Sequence, residues 1–154
     1  MPCSNEMLKY ILLLTVIVLV QAEIEFKDCG STKGAVHTLR IEPCDTKPCI
    51  LYKGTSPKIS IDFSTNLDTT SATASVHSIM EMISLPLKLD NYDVCNQLDA
   101  GQSCPMQNGQ TYTYVNTLEI RSNYPSIRQK IRWKLRDNMG DDLWCIEFSA
   151  RISS

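Results

Sequence analysis

The sequence predicts an all-β protein, an antiparallel β-sandwich of about seven strands held by three disulfides, and three observations support this. Several short runs alternate between apolar and polar residues, which is the pattern of a strand with one buried face. Turn-forming residues separate these runs, and no long stretch has helical spacing. Six cysteines remain after an apolar leader, which is typical of a small exported domain whose thiols pair.

Residues 1–22 have the pattern of a signal peptide. A polar start containing Lys9 precedes an apolar run over residues 11–20, and Val20-Gln21-Ala22 fits a cleavage site. The run is too short to span a bilayer as a mature helix. We therefore expect secretion to the extracellular space, with the acidic endolysosomal lumen as the alternative location. The chain has no Asn-x-Ser/Thr sequon, which argues against a glycan-borne lysosomal address.

Residues 23–154 are predicted to form one domain, because no repeat, low-complexity tract or linker divides them. The formal net charge of −2 gives no basic excess of the kind that nucleic-acid binders carry. No further stretch approaches the length needed to span a membrane. These features predict a soluble, monomeric protein that does not bind nucleic acid.

The first strands are predicted upstream and downstream of the turn at 54–57. Leu39 and Ile41 share one face of the first alternating run. Residues 58–63 place their isoleucines and phenylalanine on one face and their polar residues on the other. Residues 74–83 form a further, less regular strand.

Three later runs complete the predicted strands. They cover residues 111–121, 128–136 and 144–152, and each places large apolar side chains at every second position. The turn Asn138-Met139-Gly140-Asp141 joins the last two runs, so a hairpin is expected there.

The six cysteines of the exported part permit 15 pairings, and spacing alone does not choose among them. They are Cys29, Cys44, Cys49, Cys95, Cys104 and Cys145. The Pro-containing turn from Cys44 to Cys49 is short enough to close on itself. The polar loop from Cys95 to Cys104 has the same option, which would leave Cys29 with Cys145.

An enzyme is not predicted. His37 and His77 are the only histidines, and no Ser or acidic spacing suggests a triad. Paired cysteines offer no free thiolate, and two histidines without a carboxylate cluster do not form a metal site. We therefore expect a binding protein without cofactor or metal.

Several motifs resemble the Niemann–Pick type C2 family of sterol carriers, which belongs to the MD-2-related lipid-recognition (ML) superfamily. The motifs are Phe26–Ser31, the turn Cys44–Cys49, Ser103–Met106, Thr111–Asn116, Ser122–Ile127 and Trp144–Glu147. The resemblance covers essentially all of residues 23–154, and residues 104–147 are its most specific part.

The resemblance implies an immunoglobulin-like sandwich whose sheets enclose an apolar tunnel for one lipid. It also implies the disulfides Cys29–Cys145, Cys44–Cys49 and Cys95–Cys104. Carried over by position, the tunnel-lining residues are Ile41, Leu51, Ile61, Phe63, Met80, Leu85, Leu87, Leu118, Ile120, Tyr124, Pro125 and Trp133. Lys53 and Lys88 flank the implied mouth, where they would meet a carboxylate or a membrane phosphate.

One departure from the family pattern bears on the ligand. The sterol carriers have a Pro-Val-Pro-Phe-Pro segment at the mouth, where this chain has Ser84-Leu85-Pro86-Leu87-Lys88. The resemblance implies a secreted carrier of one sterol or long-chain lipid that transfers it between membranes or to a receptor. The leucine mouth suits an acyl chain equally well, so a fatty-acid or semiochemical carrier is an alternative. A glycolipid-sensing immune module and a filled sandwich without ligand are the others.

Basic residues occupy every second position of one predicted strand. They are Arg128, Lys130, Arg132, Lys134 and Arg136. One interpretation is docking on anionic lipid headgroups. The other, which we favour, is a solvated face matched by cross-strand carboxylates such as Glu119 or Glu147.

Overall fold

The computed structural model describes residues 22–154, so the predicted signal peptide lies, except for Ala22, outside the described residues. The strands are β1 (Lys27–Asp28), β2 (Gly34–Glu42), β3 (Cys49–Tyr52), β4 (Lys58–Thr65), β5 (Ala72–Met80), β6 (Ile83–Pro86), β7 (Thr111–Thr117), β8 (Arg128–Asp137) and β9 (Asp142–Ser153). A short 3-10 helix covers Val94–Asn96.

Two sheets form the sandwich. The larger sheet has the order β1-β9-β8-β5-β6, with β3 also paired to β9, and the smaller has the order β2-β4-β7. The predicted all-β sandwich is confirmed, and the structure contains the disulfides Cys29–Cys145, Cys44–Cys49 and Cys95–Cys104. The prediction missed the short strands β1, β3 and β6. The pairing of β3 with β9 is parallel, unlike the other pairs.

The predicted strand over residues 74–83 is wrong at its end. β5 stops at Met80, and the chain turns at Glu81, whose φ of 50° lies in the left-handed region that non-glycine residues rarely adopt. β6 then pairs back onto β5, with Ser78 opposite Leu85. The predicted run over residues 111–121 likewise ends as a strand at Thr117.

The core consists of the inward-facing side chains that the alternation predicted. Val76, Trp133 and Ile146 lie opposite one another across β5, β8 and β9, and each is at most 2% exposed. Ile61 and Phe63 of β4 face them from the smaller sheet and are completely buried. Burying a side chain of this size contributes about 1.5–3 kcal/mol, so these rows are the main source of stability.

The β1 edge of the sandwich is closed by the N-terminal segment. The Ile24 N–H donates to the Leu39 carbonyl at 2.8 Å, which attaches this segment to the smaller sheet. A few residues later, Lys27 pairs with Glu147 of β9 in the larger sheet. The segment therefore bridges the two sheets, and the Cys29–Cys145 disulfide ties it in place.

Asp62 links the three strands of the smaller sheet. Its carboxylate accepts hydrogen bonds from Arg40 at 2.7 Å, Thr38 at 2.5 Å and Thr113 at 2.7 Å. The hydrogen bonds from the Arg40 guanidinium are the largest cause that lowers the pKa of Asp62 to about 2.

We expect this group to lower stability in strong acid. Because the pKa of Asp62 is lower in the folded than in the unfolded chain, its contribution is present above about pH 4 and lost as the pH falls toward 2. The shift corresponds to about 2 kcal/mol of unfolding free energy. Asp62→Asn should remove that part of the pH dependence in denaturant unfolding, whereas Asp90→Asn, at an exposed position, should keep it. Identical profiles for the two variants would contradict this assignment.

Candidate functional site

Inward-facing apolar side chains of the sandwich are exposed at the β6 edge of the larger sheet. Ile83 and Leu85 lie on the inner face of this sheet, opposite Met80 and Ser78, yet they are 59% and 45% exposed. At the next inward position, Leu87 is only 5% exposed. Exposure therefore falls from about half at Leu85 to almost none at Leu87, so inward-facing apolar side chains meet solvent at the hairpin end of this edge.

The loop over residues 121–127 lies at the same end of the sandwich, because it leads into the start of β8. Tyr124 in this loop is half-buried and packs against the core, while Pro125 is exposed. The Ile152 N–H donates to the Ile127 carbonyl at 2.9 Å, which attaches the loop to β9. We call the residues around this opening, Met80, Ile83, Leu85, Tyr124 and Pro125, the mouth.

The far side of the mouth is closed by the segment that follows β6. The Leu87 N–H donates to the Val76 carbonyl at 2.9 Å, which continues the pairing with β5. Leu89 then pairs with Leu118, beyond the end of β7 in the smaller sheet. The mouth is thus bounded by the β5–β6 hairpin, this segment and the 121–127 loop.

The structure divides the predicted tunnel-lining residues into two groups. Those inside the core are at most 5% exposed: Ile41, Leu51, Ile61, Phe63, Leu87, Leu118, Ile120 and Trp133. The others lie at the mouth: Met80, Leu85, Tyr124 and Pro125.

The interior is packed with its own side chains rather than held open as a tunnel. Ile61, Phe63 and Trp133 have no exposed surface, so no void large enough for water lies against them. Two surface pockets, one along residues 23–27 and one along residues 119–123, are not lined by Met80, Ile83, Leu85, Tyr124 or Pro125. A ligand therefore has to displace these side chains as it enters.

Two polar side chains inside the sandwich were missed by the sequence prediction. Ser78 and Gln129 are 2% and 5% exposed, and the Ser78 hydroxyl donates a hydrogen bond to Gln129 Oε1. The alternation of β8 could have predicted the burial of Gln129, because it lies on the same face of the strand as Ile131 and Trp133.

A second buried polar group, the Tyr114 phenol, has a hydrogen-bond partner. The Tyr114 hydroxyl accepts a hydrogen bond from Asn116 Nδ2 at 2.7 Å, and its ring meets Trp133 edge-on with the ring centroids 6.0 Å apart. Burial raises the pKa of the Tyr114 phenol far above its usual value, so this group remains neutral at any physiological pH.

The lysines predicted to flank the mouth have different environments. Lys88 Nζ lies 2.8 Å from Glu119 Oε2, and Arg121 lies 3.6 Å from the same carboxylate. The hydrogen bond from Lys88 is the main cause that lowers the pKa of Glu119. Lys53 directly follows β3, and its N–H donates to the Ser153 carbonyl at 2.9 Å. Lys88 thus already holds a carboxylate of the protein itself.

The basic residues at every second position of β8 mostly form ion pairs with carboxylates. Arg132 lies 2.6 Å from Glu147, and Asp142 of β9 pairs with both Lys134 and Arg136. The expected partner Glu119 is wrong, because it lies beyond β7 and pairs with Lys88. Arg128 and Lys130 form no ion pair with the described residues. Of the five basic residues, these two are therefore the ones left to contact anionic lipid headgroups.

The histidines lie apart from each other. His37 contacts Ser64 Oγ at 3.0 Å on the exposed face of the smaller sheet, and His77 lies in β5 of the larger sheet. Within residues 22–154 no group of three or more metal-ligating side chains comes together. In the same range no helix has the length and apolar character needed to cross a membrane.

The fold and the mouth define the class: an immunoglobulin-like β-sandwich with a packed apolar interior whose inward-facing side chains become exposed at one edge. A family model described as the ML domain matches residues 23–152, and the chain belongs to this family. ML-domain proteins of this kind are lipid-binding proteins rather than enzymes.

Similar proteins cover nearly the whole chain. The mouse "NPC intracellular cholesterol transporter 2" is 39% identical over 94% of this chain and 95% of its own. The Drosophila melanogaster "NPC intracellular cholesterol transporter 2 homolog a" is 35% identical over 95% and 99%. The crystal structure of a Niemann–Pick type C2 protein from the Japanese carpenter ant has a TM-score of 0.75 and 24% identity, and covers 84% of this chain and 99% of its own. The ant structure shows that the fold is shared.

Proposed function

We propose that the chain is an exported, monomeric lipid carrier that binds one sterol or long-chain lipid between its sheets. It transfers this lipid between membranes or to a receptor. The observation that carries the proposal is the mouth, where inward-facing apolar side chains are exposed next to a wholly buried apolar interior. The names of the relatives, cholesterol transporters, support a lipid as the cargo.

Binding would be driven by transfer of hydrocarbon out of water. Each methylene moved into the interior contributes about 0.8 kcal/mol, so a sterol or an acyl chain needs few polar contacts. Because Ile61, Phe63 and Trp133 pack without voids, the sheets would separate at the mouth as the ligand enters. The association rate constant is therefore expected to be lower than the diffusion limit.

The experiment that tests the proposal is competition for a fluorescent sterol by cholesterol and by oleic acid, at neutral and acidic pH. Displacement by cholesterol alone supports a sterol carrier. Failure of the fluorescent sterol and of both lipids to bind would refute a lipid carrier of any kind.

A second candidate function is an extracellular carrier of fatty acids or semiochemicals. Leu87 closes the inner end of the mouth with a small, flexible aliphatic side chain that is 5% exposed. Such a side chain adapts to a bent acyl chain as readily as to a flat ring system. Weak sterol binding with efficient displacement by oleic acid would favour this candidate.

The tip of the β5–β6 hairpin is the surface that we expect to meet the membrane. Met82 is 99% exposed at this tip, beside the exposed Ile83 and Leu85 of the mouth. Exposed apolar patches of this kind mark contact sites for membranes or proteins. Met82→Asp should slow the transfer of a fluorescent sterol between vesicles by about five- to ten-fold, because it removes a partitioning apolar side chain. Its equilibrium affinity for the sterol should not change.

Met139→Asp is the matched control. Met139 is 79% exposed in the β8–β9 turn, at the other end of the larger sheet. This variant should transfer sterol at the normal rate. Equal rates in the two variants would refute membrane contact through the hairpin tip.

A further inference from the structure

Three hydrogen-bond donors inside the sandwich have no partner among the described residues, namely the indole N–H groups of Trp133 and Trp144 and the side-chain amide of Gln129, and Gln129 is the one at the mouth end of β8. The Ser78 hydroxyl donates to Gln129 Oε1, whereas Gln129 Nε2 has no acceptor among the described residues. Gln129 is only 5% exposed. Buried polar groups are nearly always paired, and an unpaired amide N–H in an apolar interior is destabilising. The amide of Gln129 therefore needs an explanation other than packing.

The position of Gln129 connects this donor to the mouth. Gln129 lies opposite Ala150 of β9, and the β5–β8 register places it beside Met80 at the end of β5. Its partner Ser78 lies opposite Leu85 of the mouth. A lipid that enters past β6 has to pass this pair before it reaches Trp133. The donor is thus where the polar end of a lipid would remain once its hydrocarbon is buried.

We infer that Gln129 Nε2 binds an acceptor oxygen of the ligand, and that the preferred ligands are uncharged long-chain lipids with a carbonyl group. This inference rests on the proposed function. A neutral amide donor in an apolar surrounding pairs well with an ester, a ketone or a protonated acid. An ionised carboxylate would be a poorer fit, because a buried charge needs an opposite charge and Gln129 supplies none. With the Ser78 hydroxyl donating to Gln129 Oε1, Nε2 is the amide atom left without a partner.

The test compares two ligands of matched length, methyl oleate and 1-octadecene, in the exported chain with its disulfides formed. An ester has acceptor oxygens and no donor, so its advantage over the alkene reports on Nε2. Affinities are measured by displacement of N-phenyl-1-naphthylamine. The unaltered protein should prefer the ester by about three- to ten-fold, the worth of one neutral hydrogen bond. Gln129→Leu should bring this ratio close to one and leave the alkene affinity equal or higher.

Gln110→Leu, at an exposed position before β7, is the matched control and should keep the ester preference. Denaturant unfolding gives a second readout in the double variant Ser78→Ala/Gln129→Leu, which removes the unpaired donor without leaving the Ser78 hydroxyl unpaired and should be as stable as the original protein or more stable. An unchanged ester-to-alkene ratio in the folded variant would overturn the inference and leave the lipid carrier standing. Failure of both ligands to bind the unaltered protein would also overturn the inference, whereas the lipid carrier is overturned only if the fluorescent sterol, cholesterol and oleic acid fail to bind as well.

Discussion

Tyr124→Ser is expected to weaken lipid binding by about thirty- to hundred-fold while the domain stays folded. Tyr124 is half-buried at the mouth and packs against the core, so its ring would cover the ligand at the point where the ligand leaves solvent. Truncation of such an aromatic anchor typically costs about 2–3 kcal/mol of binding free energy. Titration with a fluorescent sterol measures the loss, and near-ultraviolet circular dichroism reports on the fold.

Tyr92→Ser serves as the matched control for this experiment. Tyr92 is 47% exposed and lies beyond Leu89, in the segment that follows β6, so its removal should leave the affinity unchanged. Ile120→Asp is a poorer probe, because Ile120 is completely buried and a charge there would damage folding. Unchanged affinity in folded Tyr124→Ser would show that the lipid does not pass this loop.

Removal of the Cys29–Cys145 disulfide is expected to cost about 5 kcal/mol of unfolding free energy. The bond closes a loop with a sequence separation of 116 residues, so it restricts the unfolded chain far more than a local bond does. The double variant Cys29→Ser/Cys145→Ser should therefore be strongly destabilised in denaturant unfolding.

The disulfide Cys44–Cys49 provides the comparison, since its sequence separation is only 5 residues. Its replacement by two serines should cost about 2 kcal/mol on the same chain-entropy account. If the two double variants lost equal stability, the long loop would not be the source of the effect, and strain or local packing would have to be considered.

The elements that the sequence predicted best are those with an uninterrupted period of two. β4, β8 and β9 each alternate over most of their length, because one face meets the core and the other meets solvent. β6 was merged with β5 because the turn between them contains no glycine, proline or asparagine. Glu81 adopts the left-handed conformation there, which composition does not reveal.

The candidate site was predictable in part. The resemblance supplied the lining positions, and the structure gathers them in the core and at the mouth. The inward orientation of Gln129 could be predicted from the alternation of β8, but its pairing with Ser78 depends on the register between β5 and β8. The ion-pair partner of Lys88 could not be predicted from the sequence. Glu119 approaches Lys88 only because the segment after β6 crosses to the end of β7.

The two edges of the larger sheet differ, and this bears on how cargo would move. At the β1 edge the N-terminal segment bridges the two sheets by backbone pairing, and at the β6 edge the segment after β6 bridges them where Leu89 pairs with Leu118. The hairpin end of the β6 edge, where Ile83 and Leu85 are exposed, is therefore the place where any separation of the sheets would begin. A lipid that went in past β6 would have to come out past β6. Under the proposed function, such a protein would be a shuttle rather than a conduit, because it would have to release its lipid at one membrane before it could bind another.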